Sequence, residues 1–385
     1  MSRATRRIRA NPAVPFVRRV RVRNFRSIAD CDVTLGPLTV LVGFNASGKS
    51  NFVDALKLVA DAMRTSLVNA VSDRGGLDTL LHRGTGGVAD SFEIMLDLVL
   101  SEGSQALYGF TVGPDPEGEL PLLVRGELVM LGRHDGELAR PPLRQERSSR
   151  LRLPSLFSSD DEVLAILEAS LRAMTFYDLD SEILAGLYEP PPAIPVLGSA
   201  GEYLGPVLGA ITRDDPLGKE RLDAYLGALV PNALRVDERR EGRYSTVQAD
   251  FHGDETFQRE SLSEGTLRAA GVLAALSQPA ISAGRISLVA IEEPETAFHP
   301  SGVGALYEAL DDAAERVQVI VTSQSSDLLD NEYARLDHIR VVSNEDGRTR
   351  IGEVDAAGRA IVEKGLMSLS ELHRSGQLRP AEAER

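Results

Sequence analysis

Val20 and Val22 alternate with Arg19, Arg21 and Arg23, a two-residue period that predicts a half-buried strand. Cys31, Val33 and Leu35 repeat the alternation after a short turn, so the chain is expected to open on a hairpin. Leu38–Val42 is a compact apolar run of the kind found in strands buried on both faces. A glycine-rich loop follows it, and then Phe52, Leu56, Val59 and Met63 recur at helical spacing. Further strands are expected at Phe92–Leu100, Leu107–Val112 and Glu127–Leu131. Arg140–Asp161 is polar and rich in Ser, Arg and Pro, which predicts a linker or loop. Residues 161–235 carry a helical pattern interrupted by Pro190–Pro192. Arg235–Arg240 and Arg243–Phe251 flank Glu241-Gly242 as a second hairpin. From Leu262 the order is helix, strand (Ile286–Ile291), helix, strand (Val317–Thr322). Alternating β and α elements imply a parallel sheet covered by helices.

The 385 residues suffice for two or three domains, or for one domain with a large insertion. The net charge of −15 argues against a protein that coats DNA over its whole surface. The distribution is uneven, because Arg3, Arg6, Arg7, Arg9, Arg18, Arg19, Arg21, Arg23 and Arg26 all precede the first acidic residue, Asp30. That run is either a solvated arm and strand face or a contact for nucleic acid or a partner. The single cysteine, Cys31, excludes a disulfide framework and sits where a core residue is expected. No apolar run approaches the ~20 residues of a membrane span, and no secretory signal follows the N-terminal arginines. A cytoplasmic location and no membrane partner are therefore expected.

Gly43-Phe44-Asn45-Ala46-Ser47-Gly48-Lys49-Ser50 matches G-x-x-x-x-G-K-[ST] in full, between a buried strand and an amphipathic helix. In such a loop the glycines Gly43 and Gly48 let backbone amides curl around phosphate oxygens, and the helix N-terminus adds a favourable dipole. Lys49 reaches the terminal phosphates and Ser50 offers a hydroxyl to Mg²⁺. Ile286–Ile291 ends in Glu292-Glu293-Pro294. Glu292 stands where an acid helps to hold Mg²⁺, and Glu293 where a general base orients the attacking water. Leu262-Ser263-Glu264-Gly265-Thr266 opens a helix that Ser263 can cap, with its N-terminus free to meet an anion. The expected ligands are thus ATP and Mg²⁺.

Asn24-Phe25-Arg26-Ser27, the phosphate loop with Asn51, Leu262–Arg268 and Glu292–Pro300 together resemble the RecF/SMC/OLD branch of ABC-type ATPases. The resemblance is narrower still to stand-alone bacterial ATPases often encoded beside a small TOPRIM-like protein, with a role in defence against phage and foreign DNA. It implies an ABC-ATPase head: a P-loop parallel sheet, an antiparallel N-terminal β-subdomain, a helical insertion and no long coiled coil. The corresponding division is 1–140 and 236–345 for the two halves of the head, 141–235 for a mainly helical insertion, and 346–385 for a hairpin strand and short helical tail.

The resemblance also assigns residues. Leu262–Thr266 stands for the signature segment, so Ser263 and Gly265 would meet the γ-phosphate bound to a second subunit. Arg26 and Asn45 would touch nucleotide, with Asn51 beside them. Glu295–Pro300 would cross the interface of a nucleotide-sandwiched homodimer. After the strand Val317–Thr322 the family usually has a histidine facing the γ-phosphate, whereas this chain has Ser323-Gln324-Ser325. Gln324 can hydrogen-bond a phosphate but carries no charge, which predicts slow hydrolysis. About 60 residues follow Gln324, too few for a fused TOPRIM nuclease, so the effector is expected to be a separate protein. A DNA-clamping repair protein and a nucleotide-sensing scaffold with negligible turnover remain as alternatives.

Overall fold

The computed structural model describes residues 14, 16–84, 86–100, 104–132, 147–158, 162–253, 255–330 and 334–381. Arg3, Arg6, Arg7 and Arg9, and Asp160-Asp161, lie outside the described residues. A six-stranded sheet has the order Arg348–Gly352, Ile339–Glu345, Leu38–Val42, Gln318–Ser323, Leu288–Glu292, Met174–Tyr177. Its ladders are parallel except the first, where Arg348–Gly352 runs antiparallel to Ile339–Glu345. An antiparallel five-stranded sheet has the order Ile28–Thr34, Val17–Phe25, Phe92–Val99, Gln105–Gly113, Leu123–Gly132. Ala233–Glu241, Tyr244–Phe251 and Glu255–Gln258 form a third, antiparallel sheet.

The parallel sheet is covered on both faces, which is why its strands read as apolar runs and not as alternations. Leu38, Val40 and Val42 enter one core with the helices Leu204–Asp214, Glu264–Ser277 and Val303–Ala314. Leu41 enters the other, with the helix Lys49–Arg64 and the inward face of the five-stranded sheet. The strand Val17–Phe25 shows the opposite pattern. Val20 and Val22 are buried, while Arg19 and Arg23 are exposed and Arg21 is half-buried. Those arginines are not a free basic face. Arg19 pairs with Asp32 at 2.5 Å, Arg21 with Asp97 at 2.7 Å and Arg23 with Asp30 at 3.1 Å, all from the flanking strands. Cys31 is buried, and burial pushes its thiol up to about 12, so it is inert as a nucleophile at neutral pH.

One element departs from the periodicity. Residues 161–235 were expected to be helical, yet Met174–Tyr177 is the edge strand beside Leu288–Glu292, in register Leu288↔Met174 to Ile291↔Tyr177. Four largely apolar residues fit a helix face and a buried strand equally, and the neighbouring strand decides between them. The helices Glu162–Arg172, Leu204–Asp214 and Pro216–Leu229 occupy most of the remaining stretch. Among the described residues the longest helix, Lys49–Arg64, has 16 residues. None is long and apolar enough to cross a membrane.

Candidate nucleotide site

Four neighbouring parallel strands end together: Leu38–Val42, Gln318–Ser323, Leu288–Glu292 and Met174–Tyr177. Ligands of open parallel sheets bind beyond the carboxyl ends of the strands. Each of these ends carries chemistry: the phosphate loop after Val42, Gln324 after Ser323, Glu292 and Glu293, and Asp178 after Tyr177.

The loop is held in shape by close backbone approach. Gly43 donates its amide to the Ser323 carbonyl at 3.2 Å, and a Cβ at Gly43 would lie 2.1 Å from the Val342 carbonyl oxygen. Gly48 has φ +108°, and a Cβ there would lie 2.0 Å from Thr349 Oγ1. Gly48 is also the helix N-cap and provides no side-chain cap, which leaves the first helical amides for a ligand. Lys49 is 5% exposed. It donates from Nζ to the carbonyls of Gly43 at 2.7 Å and Phe44 at 3.0 Å. An ammonium has three donors, so one remains for a phosphate oxygen. Burial pushes this ammonium below its ordinary range, and Glu293, Glu295 and Glu292 oppose that shift.

A hydroxyl network braces the loop against the N-terminal sheet. Asn51 Nδ2 donates to Ser27 Oγ at 2.6 Å, Ser27 Oγ lies 2.7 Å from Thr349 Oγ1, and Thr349 Oγ1 donates to the Ser47 carbonyl at 2.9 Å. Asn51 therefore holds Ser27, and Arg26 forms an ion pair with Asp54 at 2.8 Å. Replacing Gly48 by alanine is expected to destabilise the fold by about 1–3 kcal/mol, through left-handed strain and the Thr349 clash. A thermal melt reads this, and an unchanged midpoint would contradict it.

The strand Leu288–Glu292 brings the acids to the loop. Ser50 Oγ donates to Glu292 Oε2 at 2.6 Å, joining two motifs far apart in sequence. Burial pushes the Glu292 carboxyl above its ordinary range; the Ser50 bond opposes this and Asp178 reinforces it. Glu293 sits in the left-handed region at φ +44°, a strained setting found at functional positions. Its amide donates to the Thr322 carbonyl at 3.0 Å, and its Oε2 accepts from Gln324 Nε2 at 2.9 Å. Glu295 turns inward and accepts from Ser323 Oγ at 2.5 Å. Burial raises its carboxyl. Thr296, Ala297, His299 and Pro300 of the same segment are exposed.

Ser263 caps the helix Glu264–Ser277 by accepting from the Thr266 amide at 3.2 Å. Ser263 is exposed. A Cβ at Gly265 would lie 2.8 Å from the Ala297 carbonyl oxygen. Among the described residues, neither Ser263 nor Gly265 hydrogen-bonds the phosphate loop of its own chain. From the same helix, Arg268 donates to the Leu179 carbonyl at 2.6 Å and to the Glu293 carbonyl at 3.4 Å. It ties the signature helix to the backbone of the proposed base.

Residues 38–330 match the AAA-domain family described as "putative AbiEii toxin, Type IV TA system". The chain belongs to this family. The match runs from the first residue of the phosphate-loop strand past Gln324, so it encloses the loop Gly43–Ser50, Ser263, Glu292, Glu293 and Gln324. The chain is 24% identical over 343 residues to an OLD nuclease of Thermus scotoductus, covering 86% of this chain and 62% of that protein. It is 43% identical over 60 residues to the DNA replication and repair protein RecF of Gloeobacter violaceus, 15% of each chain. It thus spans less than two-thirds of the length of either relative. Among solved structures it is similar to the SmcHead bound to the C-winged helix domain of ScpA, with TM-score 0.59 at 14% identity over 90% of this chain and 99% of that one. A Pyrococcus furiosus Smc head domain with an extended coiled coil gives TM-score 0.54 at 13% identity, over 91% of this chain and 99% of that one. The fold is that of an ABC-type ATPase head, and the protein is an ABC-type ATPase of the RecF/SMC/OLD branch.

In this family member the structure gathers Lys49, Ser50, Glu292, Glu293 and Gln324 into one site and leaves the exposed Ser263 and the half-buried Gly265 apart from it. Two participants escaped sequence reading. Asp178 influences Glu292, and its signal was a short apolar run ending in acid, Met174-Thr175-Phe176-Tyr177-Asp178, hidden among helical patterns. His373, from the C-terminal tail, lies against Phe44 of the phosphate loop and had no local signal. Among the described residues no three His, Cys, Asp or Glu cluster as a metal-binding group. The hard oxygen donors Ser50 and Glu292 suit Mg²⁺, which takes few protein ligands and completes its shell with water and phosphate oxygens.

Proposed function

We propose that the protein binds and hydrolyses ATP with Mg²⁺ as a nucleotide-sandwiched homodimer, and that the resulting switch drives a separate effector in defence against phage and foreign DNA. The observation that carries the chemistry is the hydrogen bond from Ser50 to Glu292 at 2.6 Å, with Glu293 alongside and held by Gln324 at 2.9 Å. Lys49 and the free loop amides bind the phosphates. Ser50 and Glu292 hold Mg²⁺, which screens phosphate charge. Glu293 takes a proton from the attacking water, and Gln324 keeps its carboxylate aimed. The neutral Gln324 offers weaker stabilisation of developing charge than an imidazolium would, so turnover is expected to be slow.

The dimer is supported by the exposed cap of Ser263. A helix N-terminus whose exposed cap makes no hydrogen bond to the phosphate loop of its own chain suits a phosphate presented by a second copy. A separate effector is supported by the SMC head neighbour, whose structure holds a ScpA domain. The pairing of Arg19, Arg21 and Arg23 with carboxylates gives no support to a DNA clamp acting through that strand. A cytoplasmic location belongs to this reading.

Ser263→Arg is the test of the sandwich. Each protomer is expected to bind nucleotide with unchanged affinity, while ATP-dependent dimerisation and turnover fall by at least about tenfold. Light scattering with and without ATP measures it. A variant that dimerises and hydrolyses like the parent would remove Ser263 from the nucleotide interface.

A further inference from the structure

The C-terminal tail reaches back to the phosphate loop. Its helix Leu369–Arg374 begins with a capping box between Ser368 and Glu371. It is anchored to the segment just beyond Gln324: Ser370 Oγ donates to Asp330 at 3.1 Å, and Arg374 donates to Ser326 at 2.9 Å and to Asp327 at 3.2 Å. This anchoring seats His373, which is 5% exposed, against the loop. Its ring stacks on Phe44 with centroids 5.1 Å apart and planes inclined by 21°.

The stack explains the ring but not its far nitrogen. His373 Nε2 is buried without a hydrogen-bond partner, and so are Ser47 Oγ and Ser343 Oγ. All three residues line one cavity of about 360 Å³, together with Gly43, Asn45 and Arg379. Unpartnered buried polar atoms are costly and rare, and a cluster of them around a cavity calls for a polar occupant. The phosphate loop forms one wall of that cavity, and Lys49 lies near enough to act electrostatically on the imidazole. Burial, with Lys49 adding to it, lowers His373 below its ordinary range. The ring is therefore neutral at neutral pH and offers an N–H from one nitrogen.

We propose that His373, carried by the C-terminal tail, hydrogen-bonds the terminal phosphate of the nucleotide held on Gly43–Ser50, so that the tail tells the triphosphate from the diphosphate. This rests on the nucleotide-binding reading above. The tail is tied to Ser326, Asp327 and Asp330, a few residues after Gln324. A contact at His373 would thus pass from the phosphate to the strand end that holds Gln324 against Glu293. The imidazole comes from the tail, while the strand end itself carries Gln324.

The test is calorimetric titration of the full chain, His373→Ala and His373→Phe with a non-hydrolysable ATP analogue and with ADP, each with Mg²⁺. Phenylalanine keeps a ring on Phe44 and lacks the nitrogen, so it separates stacking from hydrogen bonding. The parent is expected to bind both nucleotides. Both variants are expected to lose about tenfold in affinity for the triphosphate analogue, and less than about twofold for ADP. Should alanine unfold the tail, the phenylalanine variant decides alone. A variant that keeps parental affinity for the analogue overturns the proposal, as does an equal loss for both nucleotides. If the parent binds neither nucleotide, the nucleotide-binding reading fails, and the proposal with it.

Discussion

Lys49→Ala is expected to reduce ATP affinity by at least about a hundredfold, because it removes a charge-assisted phosphate contact and disturbs the loop that makes the others. The lysine is 5% exposed and fastened to the Gly43 and Phe44 carbonyls at 2.7 and 3.0 Å. Its removal therefore deletes the cation and also frees two carbonyls that it had held. The fold should tolerate the change, because the helix Lys49–Arg64 remains packed through Phe52, Leu56 and Val59. Calorimetry with ATP and Mg²⁺ measures the affinity, and a thermal melt confirms folding. A folded variant with parental affinity would remove the loop from the binding site.

Glu293→Gln is expected to leave ATP affinity within about threefold of the parent and to lower hydrolysis by about 10²–10⁴-fold, the scale of a lost general base. The geometry explains the split. Glu293 Oε2 accepts from Gln324 Nε2 at 2.9 Å, and a glutamine oxygen can accept the same bond. The backbone at φ +44° is held by the Thr322 carbonyl and not by the side chain. Only the proton acceptor is lost, so the ATP-bound dimer should accumulate. Glu292→Gln should behave differently. Glu292 is held by Ser50 at 2.6 Å, and a neutral amide there weakens the metal site, so activity should recover partly as Mg²⁺ is raised. Phosphate-release assays across a magnesium series, with light scattering for the dimer, separate the two. If Glu292→Gln gave the trapped dimer and Glu293→Gln the magnesium dependence, the two roles would be exchanged.

Local pattern carried much of the architecture. Leu38–Val42 announced a buried strand, and Gly43–Ser50 a phosphate loop, because both are contiguous and their physics is local. The Glu241-Gly242 turn was legible for the same reason, with Gly242 at φ +63° between paired strands. Pattern failed at Met174–Tyr177. Four residues lack a decisive period, and their strand conformation comes from pairing with Leu288–Glu292. With that strand went Asp178, whose place beside Glu292 depends on the sheet.

The sequence by itself determined the candidate class of chemistry, the phosphate-loop motif and the strand that delivers two carboxylates. Those depend on residue type and on spacing within a single element. Tertiary structure alone decided what each group touches. It joined Ser50 to Glu292 and Gln324 to Glu293, paired Arg19, Arg21 and Arg23 with carboxylates from adjacent strands, and set His373 on Phe44. Partners such as these lie tens to hundreds of residues apart in many cases. No local periodicity records them, because they follow from the order in which strands pair and helices close over the sheet.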